Sequence, residues 1–120
     1  MWSPVNYVDD DGTPVVENLL RSLDERIQRG IAASTEVLLE LNHTARPPFV
    51  YHIGGMLWQL PEVRPRKTYR LVYFLCPGEY IVFLHVCITA VDEDISTSCV
   101  EIALERLKNF LRREGLSYNG

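Results

Sequence analysis

The chain lacks most of the features that would point directly to a function. No apolar run approaches the roughly 18 uninterrupted residues of a membrane span, and Met1-Trp2-Ser3-Pro4 is not the basic start of a signal peptide. No membrane association is expected, and the expected compartment is the cytoplasm. Cysteine is sparse. Cys76, Cys87 and Cys99 are odd in number, show no CxxC spacing, and form no metal-ligand signature with His43, His52 and His85. The reading is buried or inert thiols, with no metal and no cofactor. A Gly-rich phosphate loop, a GxSxG elbow and an HExxH helix are all missing, which removes the familiar nucleotide, esterase and zinc-protease readings. Nor is there an excess of positive charge: 12 basic against 16 acidic residues give a net charge of −4 and a pI near 5.3. That argues against non-specific nucleic-acid binding over the whole surface, though it leaves room for a local basic patch.

What is present suits one domain covering residues 1–120, with 47% hydrophobic and 23% charged residues. Its organising stretch is Met56 to His85. One apolar run ends at Leu60, and a loop follows with Arg64, Arg66 and Lys67 between Pro61 and Pro65 and the next run. That second run spans Thr68 to Leu75, and Pro77-Gly78 turns it into a third, apolar from Tyr80 to Val86. Three such runs read as a meander, the last of them buried on both sides.

Trp2 to Val8 shows a weak period of two that fits an edge strand, where Pro4 is tolerable. Thr13-Pro14 reads as a helix N-cap and first-turn proline, with Val15, Val16, Leu19, Leu20 and Leu23 at helical spacing. Ser22-Leu23-Asp24-Glu25 has capping-box spacing, so a break is expected at Ser22. A second helix follows with Ile27, Ile31, Val37, Leu38 and Leu41 on its apolar face, ending near Asn42-His43-Thr44. Phe49, Tyr51 and Ile53 alternate before Gly54-Gly55. Ser96 or Thr97 caps a last helix whose apolar face is Val100, Ile102 or Ala103, Leu107, Phe110 and Leu111, with Gly115 as its stop. The expected fold class is α+β: a small twisted, mostly antiparallel sheet, made of an N-terminal edge strand plus a three-strand meander, with a helical pair and a C-terminal helix.

The remaining chemistry is basic and aromatic. Arg64, Arg66, Lys67 and Arg70, with Tyr51, Tyr69, Tyr73, His52 and His85, could line a site for RNA. Arginines would hold phosphates and offset developing charge, aromatics would stack bases, and a histidine would move a proton. Each group also has a plainer reading. The loop cations make a solvated turn, His85 a hydrogen-bonded core histidine, and Tyr69 and Tyr73 core aromatics on one strand face.

The motifs Leu57-Trp58-Gln59-Leu60, Tyr69-Arg70-Leu71-Val72-Tyr73-Phe74 and Ile81-Val82-Phe83-Leu84-His85 resemble the core of the RelE/HigB superfamily of bacterial toxins, especially its phage-derived HigB-like branch. The helical pair before them and the EIALERLKNFL helix after them also fall where that family has helices. The resemblance implies a RelE-like sheet with helices packed on one face. It implies a type II toxin–antitoxin toxin that cuts mRNA, usually on the ribosome and without a metal, through attack of the ribose 2′-hydroxyl on the adjacent phosphorus. The partners it implies are a cognate antitoxin, mRNA and the ribosome, in a homo-oligomer or a toxin–antitoxin hetero-oligomer.

Carried over by position, Arg70 matches the strand arginine that stabilises phosphate, and Arg66 and Lys67 are placed to assist it. His52 or Tyr51 falls where a proton-transferring or basic group stands. His85 matches a histidine that is catalytic or structural, and Tyr118 matches a C-terminal tyrosine of some relatives. Arg64, Tyr51, Tyr69, Tyr73 and Tyr118 are the expected RNA contacts. The sequence departs from the pattern in two places. Pro61 replaces an arginine, and Cys87-Ile88-Thr89-Ala90 followed by Asp92-Glu93-Asp94 stands where a lysine pair is usual. Those departures fit a second reading, a catalytically impaired RelE-fold module that binds a protein partner.

Overall fold

Alternating and continuous apolar runs in the middle of the chain build one sheet. In the computed structural model, which describes residues 1–120, the strands are β1 (Ser3–Asn6), β2 (Tyr51–Gly54), β3 (Leu57–Val63), β4 (Lys67–Cys76) and β5 (Tyr80–Ala90), in the order β1-β5-β4-β3-β2. β2 through β5 pair antiparallel, while β1 lies parallel to β5, from Ser3 beside Tyr80 to Asn6 beside Phe83. The α+β class, the N-terminal edge strand and the meander are all as expected. β2 adds a fifth strand, formed where Tyr51 and Ile53 alternate before the Gly54-Gly55 turn.

β3 runs past Leu60, through Pro61, to Val63. Because β2 pairs only with Leu57 to Gln59, β3 is an edge beyond that point, a setting in which proline is tolerated. β5 likewise continues past Val86 to Ala90, opposite Lys67 to Leu71.

Three helices cover the sheet: α1 (Val15–Arg21), α2 (Glu25–Leu41) and α3 (Thr97–Arg113). The break at Ser22 is present, but the capping box is not. Asp24 caps α2, its carboxylate accepting from the Arg26 N–H at 2.8 Å, while the Ser22 hydroxyl donates back to the Leu19 carbonyl at 2.6 Å. Thr13 gives no side-chain cap to α1, whereas Ser96 Oγ does accept from the Cys99 N–H of α3. On α2 the buried residues are Ile27, Ile31 and Leu38, and Val37 and Leu41 face outward, a strict four- and seven-residue spacing that excludes them. On α3 Cys99, Ala103, Leu107, Asn109 and Leu111 are buried, so Ala103 rather than exposed Ile102 faces the core.

The helices do not share one face, which corrects the expectation drawn from the resemblance. Residues paired across an antiparallel ladder point to the same side, and alternate residues point to opposite sides. α2 packs over the side holding Leu71 and Phe83, which line a cavity with Ile31. α3 packs over the other, where Phe110 meets Phe74 edge-on at 5.8 Å. The reason lies in β5: Ile81, Val82, Phe83 and Leu84 are all buried, so both sides of the sheet need cover.

The cysteines depart from inert thiols as well. All three are buried, but Cys87 on β5 is bonded to Cys99 in the first turn of α3, with Cα atoms 6.2 Å apart. Cys76 is the free thiol, its pKa pushed up by burial and then by the nearby Glu114 charge. No helix is long and apolar enough to cross a membrane.

Candidate functional site

Arg70 sits in β4, between Pro61 of β3 and Cys87 of β5 in the ladder, and projects from the face that α3 covers. Its guanidinium is fixed by groups from both neighbouring strands and from the loop beyond. Nη1 donates to Gln59 Oε1 at 2.8 Å, Nε to Thr89 Oγ1 at 3.1 Å, and Nη2 to the Glu93 carbonyl at 2.8 Å. Gln59 is buried and Arg70 half-buried. All three acceptors are neutral and no carboxylate pairs with Arg70, so a fixed positive charge stands there without a counter-charge.

Tyr51, paired with Gln59, shares that face at the next strand and is exposed. Because Gln59 pairs with Val72 and Thr89 with Thr68, Tyr51, Gln59, Arg70 and Thr89 form a diagonal row on one face across β2 to β5. His85 and Cys87 point the same way from β5, as partners of Val72 and Arg70.

The loop cations make a second group at the same end of the sheet. The Arg64 N–H donates to the Lys67 carbonyl at 2.9 Å and closes the β3–β4 turn. The Arg64 side chain pairs with Glu62 at 2.8 Å, and Nη2 reaches the Arg26 carbonyl of α2 at 3.4 Å. Arg66 and Lys67 are exposed and form no ion pair. With Ile27, Arg64, Pro65 and Tyr69 they line an open groove of about 370 Å³. Tyr69 points to the α2 side, so the groove and the Arg70 row lie on opposite faces and meet only around the β3–β4 end.

Other expected residues lie apart. Tyr73 is buried in the α2-side core against Phe83, at 6.3 Å between rings, and desolvation holds its hydroxyl well above the usual tyrosine range. His52 is exposed on β2, its Nε2 2.8 Å from the Gly55 carbonyl and its ring 4.8 Å from Trp58. Trp58 is paired with Tyr73, so His52 points to the α2 side, opposite Arg70, and stands toward the Gly54-Gly55 turn. Tyr118 is exposed beyond α3 with Lys108 Nζ 5.0 Å over its ring.

His85 lies between α1 and α3, beside Val15, Asn18, Leu19, Ser22 and Arg106. Arg106 Nη1 is 3.0 Å from His85 Nδ1 and donates to the Leu84 carbonyl at 2.9 Å. Since Arg106 can only donate, Nδ1 is the acceptor and the ring is the Nε2–H tautomer. Burial and then the Arg106 charge depress the His85 pKa to about 4, so the imidazole is neutral at pH 7. His85, Cys87 and Cys99 bring their donor atoms within 4.8 Å of one another, a cluster that the sequence spacing did not reveal.

Sequence reading missed Gln59, Thr89 and the Glu93 carbonyl as the groups that hold Arg70. Strand alternation was the available signal, since Gln59 and Thr89 follow from the register once β5 is extended to Ala90. It also missed a polar cluster on α3, where buried Asn109 donates to the Tyr7 hydroxyl at 2.6 Å and to Asp10 at 3.0 Å. Arg113 and Arg106 flank the Tyr7 ring at 4.9 and 5.7 Å, which ties the segment after β1 to α3.

The family model described as Phage derived protein Gp49-like (DUF891) matches residues 18–108, from α1 into the second half of α3, and so includes Arg70 and its partners, the loop cations, His52 and His85, but not Tyr118 or the Tyr7, Asp10, Asn109 and Arg113 members of the polar cluster. The chain belongs to that family, which is RelE/HigB-like. No curated protein matches the chain.

Proposed function

We propose that this Gp49-like protein, read as a member of the phage-derived HigB-like branch, is the toxin of a type II toxin–antitoxin pair and cleaves mRNA endonucleolytically on the ribosome. One observation carries the reading: Arg70 is a cation held rigidly by neutral acceptors, with its charge left for an anion. A phosphodiester is the anion that suits it. As the 2′-hydroxyl attacks phosphorus, negative charge builds on the non-bridging oxygens, and a preorganised guanidinium stabilises that charge more than the ground state.

The other roles follow from placement. Arg66 and Lys67, exposed and unpaired, hold flanking phosphates, and Tyr51 on the Arg70 face offers a ring to a base. Proton transfer falls to Tyr51, exposed on the Arg70 face, rather than to His52, which shares the Trp58–Tyr73 side of the sheet. His85 is assigned a structural part, because its Nδ1 is occupied by Arg106 and it stays neutral. Attack by the 2′-hydroxyl needs proton transfer and charge stabilisation, which these side chains supply. A cognate antitoxin would lay a helix or an extended segment over the basic end and mask it.

The second reading keeps the fold and drops the chemistry. The net charge of −4 and the acidic Asp92-Glu93-Asp94 loop beside Arg70 favour a binding module over a nuclease. Induced expression separates the two. A toxin arrests growth and leaves cut transcripts, Arg70→Ala does neither, and the partner relieves the arrest. A harmless wild-type chain with intact transcripts leaves the binding module.

A further inference from the structure

The Cys87–Cys99 bond and the Arg70 contacts involve the same short segment. The bond joins residues 12 apart in sequence, and the segment between them supplies both Thr89 Oγ1 and the Glu93 carbonyl to Arg70. Cys87 is itself the ladder partner of Arg70 on β5. From Val91 to Asp94 the loop is exposed, and its remaining backbone tie is the Glu93 N–H donating to the Ala90 carbonyl at 3.1 Å. With Cys99 anchored to β5, the start of α3 holds the far end of this loop down, and the Glu93 carbonyl stays on the guanidinium. An RNA phosphate arriving there meets the Glu93 carbonyl already bound and like charge around it.

We propose that Cys87 and Cys99 are a redox modification site: as a disulfide they clamp the acidic loop over Arg70, and as thiols they release it. The step is thiol–disulfide exchange. One thiolate of a dithiol attacks a bridge sulfur, forming a mixed disulfide and freeing one cysteine. The second thiolate of the dithiol then displaces the other cysteine. Two electrons and two protons pass to the protein, and the dithiol leaves as its own disulfide. A low-molecular-weight disulfide drives the reverse. A metal at His85, Cys87 and Cys99 fits less well, because the Arg106 guanidinium donating to His85 at 3.0 Å puts a fixed positive charge at the same place.

The consequence for cleavage rests on the reading of Arg70 as the phosphate group, but the clamp is testable without RNA. Purified full-length protein is oxidised with glutathione disulfide or reduced with dithiothreitol, its thiols are counted, and the rate of phenylglyoxal modification of each arginine is followed by peptide mass spectrometry. The expected result is a single thiol, Cys76, in the oxidised form, and a several-fold faster reaction of Arg70 in the reduced form. Exposed Arg26 and Arg66 should be unchanged. A Cys87→Ser/Cys99→Ser variant should react at the fast rate under both conditions. Equal Arg70 rates in the two forms overturn the proposal, as does failure to lose two thiols on oxidation. A rise at every arginine together with loss of the circular dichroism signal also overturns it, since the bridge would then be a structural staple. RNA cleavage that fails while Arg70 responds leaves the clamp standing and removes the nuclease.

Discussion

Arg70 Nη2 donates to the backbone carbonyl of Glu93 at 2.8 Å, so the cation at the middle of the sheet is bound to the acidic loop that leads into α3. If Arg70 is the phosphate group of the proposed function, this contact sets an order of events, because the loop must leave before a phosphate can take its place.

Removing the two exposed loop cations should weaken RNA binding without affecting the fold. Each phosphate contact on a single strand contributes about 0.7 to the slope of log K against log salt. Arg66→Ala with Lys67→Ala, titrated with a single-stranded oligonucleotide at several salt concentrations, should lower that slope by about twice 0.7. An unchanged slope would place the phosphates elsewhere, and thermal unfolding should match the wild type, since both side chains are exposed and unpaired.

His85 makes stability depend on pH in a defined direction. Its folded pKa of about 4 lies below the usual histidine value near 6.5, so the unfolded chain binds the proton more readily. The neutral ring's contribution is fully present above pH 6.5 and is lost as pH falls through that value toward 4. Arg106→Met removes one of the two causes, and the imidazole titration followed by NMR should then move up. A titration that stays in place would assign the shift to burial alone.

Helix caps offer a test of which residue begins α2. Asp24→Ala should cost about 1 kcal/mol, the usual loss of an N-cap, and Ser22→Ala clearly less, measured by urea unfolding. The opposite ranking would restore the Ser22–Glu25 capping box.

Much of this was legible in the sequence, for physical reasons that differ by element. The strand runs, the Ser22 break, the Ser96 cap and the Gly115 stop are local signals, and local signals survive in the fold. Arg70 was legible because it occupies a strand motif. What surrounds it was not, since Gln59, Thr89 and Glu93 meet it only through the pairing register of three strands and a loop. The split between the Arg70 row and the Tyr69 groove follows from helices on both faces of the sheet, a tertiary choice that strand patterning hints at only through the buried run Ile81–Leu84. The Cys87–Cys99 pair was illegible because its spacing says nothing of β5 and α3 meeting.

Whether Arg70 serves RNA cleavage is read out by primer extension on ribosome-bound mRNA. Reduced wild-type protein should give discrete cleavage stops, Arg70→Ala should lower their yield by roughly 10²–10³-fold, the range for losing a preorganised charge donor, and both proteins should show the same circular dichroism spectrum. Full-length transcripts with the reduced wild type, or stops of equal strength with Arg70→Ala, would contradict the account.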